Sequence, residues 1–254
     1  MKKAVLSFIV VLCSTSVFAQ FSKLNKDLFA AQIHLVDEFM QRFNTKAARP
    51  NLPEEYVNDA KSNILLLFDL AKFKSKNDSL WVKAEEFANR VIEDSVQLHY
   101  EDTTWCAKAL CRGMLMKKPV DFTLYLQVGK TAIGRYTWYI KKAEGRIFDM
   151  ESSKKHKPFT LMPDDHETNF MSFYRMTDET SDYITDFISD GKDIDATTVF
   201  ITLVKMNLLK IEYVKGLEFI FNQVPGYEFT INYVSRENLN AGWLISSFRR
   251  IGEQ

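Results

Sequence analysis

Apolar residues recur at three- and four-residue intervals between Asn25 and Asn44, at Leu28, Leu35, Val36, Phe39, Met40 and Phe43. That spacing places them on one face of an α-helix. Arg49-Pro50-Asn51-Leu52-Pro53 interrupts the pattern, because proline lacks a backbone N–H and pushes the residue before it out of helical geometry. Glu54 and Glu55 then suit the first turn of a second helix, where carboxylates meet the positive end of the helix dipole. Its apolar positions Val57, Ala60, Ile64, Leu67, Phe68 and Ala71 predict a run to about Phe73. Asp78 or Ser79 can cap a third helix with a buried stripe of Leu80, Ala84, Phe87, Ala88, Val91 and Ile92.

After Asp94 the period changes from helical to alternating. Segments near 96–101, 104–116, 120–128, 135–142 and 145–150 carry β-branched and aromatic residues separated by Lys-Pro, Gly-Lys and Glu-Gly breaks, which reads as an antiparallel meander. Phe122, Leu124, Leu126 and Val128 share one face at period two. The order then repeats. Helices are expected from Thr177 to Gly191 and from Asp195 to Leu208, and strands from Ile211 to Gln223, Tyr227 to Ser235 and Gly242 to Ile251. In the first of these strands Tyr213, Leu217, Phe219 and Phe221 are expected on one face, and in the second Phe229, Ile231 and Tyr233, with Val224-Pro225-Gly226 as the turn between them. The polar stretch Ser152 to Lys157 separates the two halves, 20–150 and 151–254. Helices followed by antiparallel strands predict an α+β fold, with helices packed on one face of a curved antiparallel sheet. The halves form either one domain or two closely packed repeats.

Composition narrows the functional classes. Among 254 residues, 33 Lys+Arg balance 33 Asp+Glu, which removes the basic footprint of a nucleic-acid binder. The 20 Phe, 10 Tyr and 4 Trp require a large aromatic core or a lined cavity. Met1 to Ala19 reads as a secretory signal: Lys2 and Lys3, the apolar run Ala4 to Leu12, then Val17-Phe18-Ala19 before a mature start at Gln20. The run is too short to span a bilayer, which takes about 20 residues. The chain is therefore expected to be exported and soluble, periplasmic or extracellular, and not an integral membrane protein. Cys106 and Cys111 remain, and their spacing favours two buried thiols over a bridge, since neither strand nor helix brings such Cα atoms within the roughly 7 Å a disulfide needs.

Four strings, Asp37-Glu38-Phe39-Met40-Gln41-Arg42-Phe43-Asn44, Leu65-Leu66-Leu67-Phe68-Asp69, Gln223-Val224-Pro225-Gly226-Tyr227 and Gly242-Trp243-Leu244-Ile245, carry a family likeness. Through them the mature chain resembles uncharacterised exported proteins of Gram-negative gut anaerobes. The order of elements resembles cystatin-like and nuclear transport factor two-like cone folds. The resemblance implies a fold and a location and carries no activity with it.

Candidate chemistry is sparse. No Gly-x-Ser-x-Gly elbow, no complete phosphate loop and no His-Glu-x-x-His occurs; Gly129-Lys130-Thr131 lacks the upstream glycine and reads as a turn. Asp164-Asp165-His166-Glu167 is the densest group of potential metal ligands, but four consecutive side chains cannot converge on one ion, so no metal and no cofactor is expected. His34 pairs most simply with Glu38, and His156 sits in a basic loop. His99 and Glu101, on one face if 96–101 is a strand, are the alternative catalytic pair as base and orienter for a small-molecule lyase, isomerase or hydrolase. Tyr136, Trp138, Tyr227 and Trp243 are the candidate ligand-binding residues, because space left on a concave sheet face becomes an apolar pocket with polar handles. The preferred expectation is a non-catalytic binding or interaction protein for a small apolar ligand or a protein partner.

Overall fold

The computed structural model describes residues 36–47, 57–75, 78–149, 195–237 and 240–252. The fold is α+β: an antiparallel six-stranded sheet with helices on one face. Helix α1 covers 36–45, α2 Ala60–Leu65, α3 Ser79–Glu93 and α4 Ala196–Lys205. The strands are β1 Trp105–Leu115, β2 Lys118–Lys130, β3 Tyr136–Glu144, β4 Leu209–Phe221, β5 Tyr227–Val234 and β6 Gly242–Arg250. An aspartate caps each of α2, α3 and α4: Asp59 accepts from the Ser62 N–H at 2.9 Å, Asp78 from Leu80 at 3.1 Å, and Asp195 from Thr197 and Thr198 at 2.8 and 2.9 Å. Each satisfies amide donors that have no partner inside the helix.

The strand order is β3-β2-β1-β4-β5-β6. Strands from both halves of the chain therefore share one sheet, joined where β1 pairs with β4 from Trp105↔Phe221 to Leu115↔Leu209. One transverse row of inward side chains crosses this joint through the pairs Trp105↔Phe221, Phe221↔Phe229 and Phe229↔Phe248. Its rings stack: Trp105 on Phe221 at 5.2 Å and 3°, and Phe221 on Phe229 at 5.0 Å and 12°. Phe39 and Phe43 of α1 lie 6.1 Å from Phe221 and 6.0 Å from Phe229, while Phe87 of α3 meets Phe229 edge-on at 5.5 Å. These are the offset and edge contacts that ring quadrupoles favour. At the other end of the sheet, Phe200 of α4 closes over Phe122 and Phe148. Trp138 on β3 comes within 6.5 Å of Phe219 on β4 although three strand spacings separate them, about 14 Å on a flat sheet, so the sheet curls inward over its helices.

The helices predicted around Phe39, Phe87 and Phe200 and the strands predicted after Ile211 are present, but four local expectations need correction. The second helix stops at Leu65; Ile245 then donates to the Leu67 carbonyl at 2.7 Å and the Asp69 N–H donates to the Ile245 carbonyl at 3.0 Å, so a helical periodicity hides an extended segment beside β6. Segment 96–101 is not a strand. Its backbone is satisfied by side-chain amides instead: Asn44 brackets Leu98 at 2.6 and 2.8 Å, and Gln223 brackets His99 at 2.6 and 3.0 Å. The stretch near 145–150 holds a 3-10 turn at Arg146–Phe148 that tucks Phe148 into the core. Tyr213 does not share a face with Leu217, because bulges between Leu110 and Cys111 and between Arg112 and Gly113 pair Cys111 with Val214 and Arg112 with Tyr213. An extra residue in one strand exchanges its two faces.

Cys106 and Cys111 are free and sit five positions apart on one strand, which puts them on opposite faces. Cys111 is buried, and that burial pushes its thiol up to about 11; Cys106 is half-buried on the outer face. The expected signal segment, the loop at 152–157, the helix from Thr177 and the Asp164–Glu167 group lie outside the described residues, as does His34. Among the described residues no helix is long and apolar enough to cross a membrane, and no three ligating side chains form a metal-binding group.

Candidate functional site

The β3 edge of the sheet is where the sequence candidates meet. Tyr100, on the loop entering β1, packs against Trp105 at 5.3 Å, Trp138 at 6.4 Å and Tyr136 at 6.5 Å. The Trp105 indole N–H donates to the Tyr100 carbonyl at 3.1 Å, which fixes this loop on the end of the aromatic row. Lys130 lies 5.0 Å above the Tyr136 ring and 4.0 Å from Glu101. Burial and the charge of Asp37 push the Tyr100 phenol up. His99, Glu101, Tyr136 and Trp138 thus belong to one neighbourhood. His99 and Glu101 are exposed, on a loop rather than a strand, and neither sits in a cavity with the other.

Tyr227 and Trp243 are elsewhere. Tyr227 is 7% exposed, edge-on to Phe87 at 5.3 Å, and Trp243 is 3% exposed, 4.9 Å from Phe219. Both belong to the packed β5–β6 half of the core, so the four aromatic candidates do not line one cavity.

The structure adds residues that the sequence reading passed over. Ile133 at the tip of the β2–β3 hairpin is 78% exposed, Tyr139 49%, Ile140 44% and Tyr136 37%. Tyr139 owes its position to Gly129 on β2: a Cβ there would meet the Tyr139 ring at 2.8 Å, so the glycine is the bed on which the ring lies rather than part of a turn. The hairpin closes with the Thr131 N–H on the Arg135 carbonyl at 2.7 Å. By antiparallel alternation this points the backbone groups of Thr137 and Tyr139 at β2, and those of Tyr136, Trp138 and Ile140 away from it. Among the described residues no strand pairs with that outer side. Thr197 Oγ1 of α4 accepts the Ala143 N–H at 3.1 Å and so covers the far end of the strand only. Arg135, Lys141 and Lys142 are exposed along the same edge, with Lys142 held by Glu144 at 2.5 Å. The available signal was Tyr136-Thr137-Trp138-Tyr139-Ile140 itself: large apolar side chains on both faces of a strand cannot all be buried at a sheet edge.

The β6 edge is finished differently. Phe68 bridges to Ile245 in parallel, and Lys72 donates to the Ser246 carbonyl at 2.6 Å. Asn240 accepts from the Leu70 N–H at 2.9 Å and donates to the Phe68 carbonyl at 2.8 Å, and half-buried Arg236 pairs with buried Asp69.

The outer face of the sheet is polar and internally paired: Lys108 and Asn232 both hold Glu218 at 3.0 Å, Arg112 and Lys215 hold Asp121 at 2.8 and 2.9 Å, and Tyr125 donates to Glu144 at 2.9 Å. Burial, then the hydrogen bond to Glu144, pushes the Tyr125 phenol up to about 12. This face offers matched charges and no activated nucleophile. No protein-family model, curated protein or solved structure matches this chain.

Proposed function

We propose that the chain is an exported, non-catalytic interaction protein that engages a partner polypeptide along the β3 edge. The observation that carries the reading is a strand with no partner on its outer side among the described residues, flanked by exposed Ile133, Tyr136, Tyr139 and Ile140. Tyr136 and Ile140 lie on one face of the strand and Tyr139 on the other, so a segment added there meets apolar side chains on both of its faces. An extended segment added beside β3 would pair with the outward backbone of Tyr136, Trp138 and Ile140 and rest its side chains on the flanking rings. Arg135 and Lys141 select for acidic side chains on that segment. The alternative, a lyase, isomerase or hydrolase using His99 and Glu101, gains no support from two side chains held out in solvent.

Export rests on the Met1–Ala19 pattern, and kinship with exported proteins of gut anaerobes on the four strings quoted above. The cystatin-like cone is favoured by helices seated in a curled antiparallel sheet. Descent from two repeats is favoured by the palindromic strand order, because two three-stranded meanders related by a two-fold axis would join through their first strands, as β1 and β4 do.

A photo-crosslinking residue at Tyr139 in the source cell tests the binding reading. A discrete adduct to an extended acidic segment, lost on Ile140→Glu, is the expected result. No adduct, or an equal one from Tyr213 on the outer face, rejects it.

A further inference from the structure

The β1–β2 turn and the α4–β4 turn lie side by side at the end of β2 away from the β2–β3 hairpin, and what they carry does not depend on the β3 reading. The Met116 N–H donates to the Leu208 carbonyl at 2.9 Å, which ties the two turns together. Leu115 pairs with Lys118, so Met116 and Lys117 alone make the β1–β2 turn, and both have positive φ, 47° and 68°. A two-residue hairpin turn of this kind favours Asn-Gly, because a larger side chain in the left-handed region crowds its own backbone. Packing does not offset that strain: Met116 is 63% exposed, and Lys117 is exposed beside it. Across the junction Met206, at the end of α4, is 62% exposed, and exposed Ile201 and Val204 lead up to it along the helix. Strained residues with no packing role point to a use outside the fold.

The charge around these turns is of one sign. Lys117, Lys118, Lys205 and Lys210 are exposed, and none of them forms an ion pair among the described residues. Lys118 stands opposite Leu115 and Lys210 opposite Met114, successive positions of β1, so their side chains leave opposite faces of the sheet and flank the turns on both sides. No acid occurs from Gly113 to Val120, and from Val199 to Val214 the chain carries only Glu212, whose charge acts on Arg112. Asp121, just beyond, is held by Arg112 and Lys215. The backbone of the second turn is spent internally: Met206 donates to Thr202 at 2.9 Å, Asn207 to Val204 at 3.0 Å and Leu208 to Leu203 at 2.9 Å. A peptide therefore finds no free strand to pair with at the turns themselves, whereas a flat anionic surface admits both methionines at once.

We propose that the two turns dock the protein on the anionic surface of a phospholipid bilayer. Met116 and Met206 enter between the headgroups, and the four lysines meet the phosphates with their stems along the apolar side chains. The contact is peripheral and reversible. Each lysine near such a surface strengthens binding about fivefold, and salt weakens the attraction.

Flotation of the purified protein with vesicles of phosphatidylcholine and phosphatidylglycerol, against phosphatidylcholine alone, tests this. Binding to the anionic vesicles is expected, falling with salt, and none to the neutral ones. Met116→Asn with Lys117→Gly installs the favoured turn, so it should raise the thermal midpoint while weakening vesicle binding at least about fivefold through the lost cation. A purely structural role for these residues would not separate the two readouts. Lys205→Gln with Lys210→Gln should weaken binding about 25-fold, and Met206→Ser should weaken it with no change of charge. Absence of flotation, equal binding to neutral vesicles, or indifference to either set of lysine and turn substitutions overturns the proposal. Indifference to Met206→Ser, with polyglutamate displacing the vesicles, also overturns it and assigns the lysines to an acidic polypeptide. Tyr139→Ala on β3 should leave vesicle binding unchanged, so the two surfaces fail or stand separately.

Discussion

The two edges of this sheet face the same physical problem and solve it in opposite ways. A strand at an edge presents unpaired N–H and C=O groups, which invite another chain. At β6 the protein supplies its own cover: Leu67–Asp69 pairs with Ile245, Lys72 takes the Ser246 carbonyl, and Asn240 ties the covering segment down through Leu70 and Phe68. At β3 the cover among the described residues is a single hydroxyl, Thr197 on Ala143, and the strand instead carries exposed rings and cations. The sealed edge is tied into the stability of the fold through buried side chains, whereas the open one can lose side chains at little cost. A surface meant for a partner is expected at the second kind of edge.

The largest effect should come from breaking the sealed edge. Phe68 is 1% exposed and meets Phe87, Phe248 and Phe73 edge-on at 5.5, 5.1 and 6.1 Å. Phe68→Ala should cost about 3–5 kcal/mol in urea unfolding, while Tyr139→Ala at the open edge should stay within about 1 kcal/mol. Equal losses would erase the distinction. Arg236→Met comes next, because it strands the buried Asp69 carboxylate and should cost about 3 kcal/mol; Asp69→Asn added to it should restore most of the loss.

Amide exchange reads the same contrast without mutation. The Ile245 N–H, bonded to Leu67, should exchange roughly a hundredfold more slowly than those of Trp138 and Ile140, which point outward from β3. Uniform protection of the two strands would mean that β3 is covered after all. Thr197→Val removes the one described cap on β3 and should cost about 1 kcal/mol, the scale of one hydrogen bond. The smallest effect is expected between the edges, on the outer face. The Tyr125 phenol, at about 12 when folded against an ordinary value of 10.0, releases its proton earlier in the unfolded chain. Its contribution is therefore complete below pH 10 and is lost as pH rises toward 12. Tyr125→Phe should flatten that part of the stability profile, measured by urea titration at each pH.

The candidate site was half legible in the sequence. Tyr136 and Trp138 were visible as aromatic strand residues, and His99 and Glu101 as neighbours in the chain, but nothing in the spacing said that Tyr100 would lay the two groups side by side. Tyr227 and Trp243 looked the same in sequence and fell into the packed interior, because β5 is an inner strand and β6 is covered. Aromatic content alone does not separate a binding ring from a core ring. The number of neighbours on a strand's two sides does.

Local periodicity by itself determined the helical faces of Phe39 and Phe87, a helix opening at Asp195, a cap for α3 at Asp78 or Ser79, the turn at Pro225-Gly226 and the alternation of β2, because each depends on contacts a few residues apart. It also favoured two thiols over a bridge between Cys106 and Cys111, which are free. Tertiary structure decided everything that a distant partner supplies. Leu67–Asp69 left the helix because β6 offered a backbone to pair with, and segment 96–101 lost its strand because Asn44 and Gln223 provided the hydrogen bonds first. Tyr213 changed face at a bulge set by β1. Hydrogen bonds formed across the fold have no period in the chain, so the edges of the sheet, and with them the surfaces open to a partner, became visible only once β1 was seen beside β4.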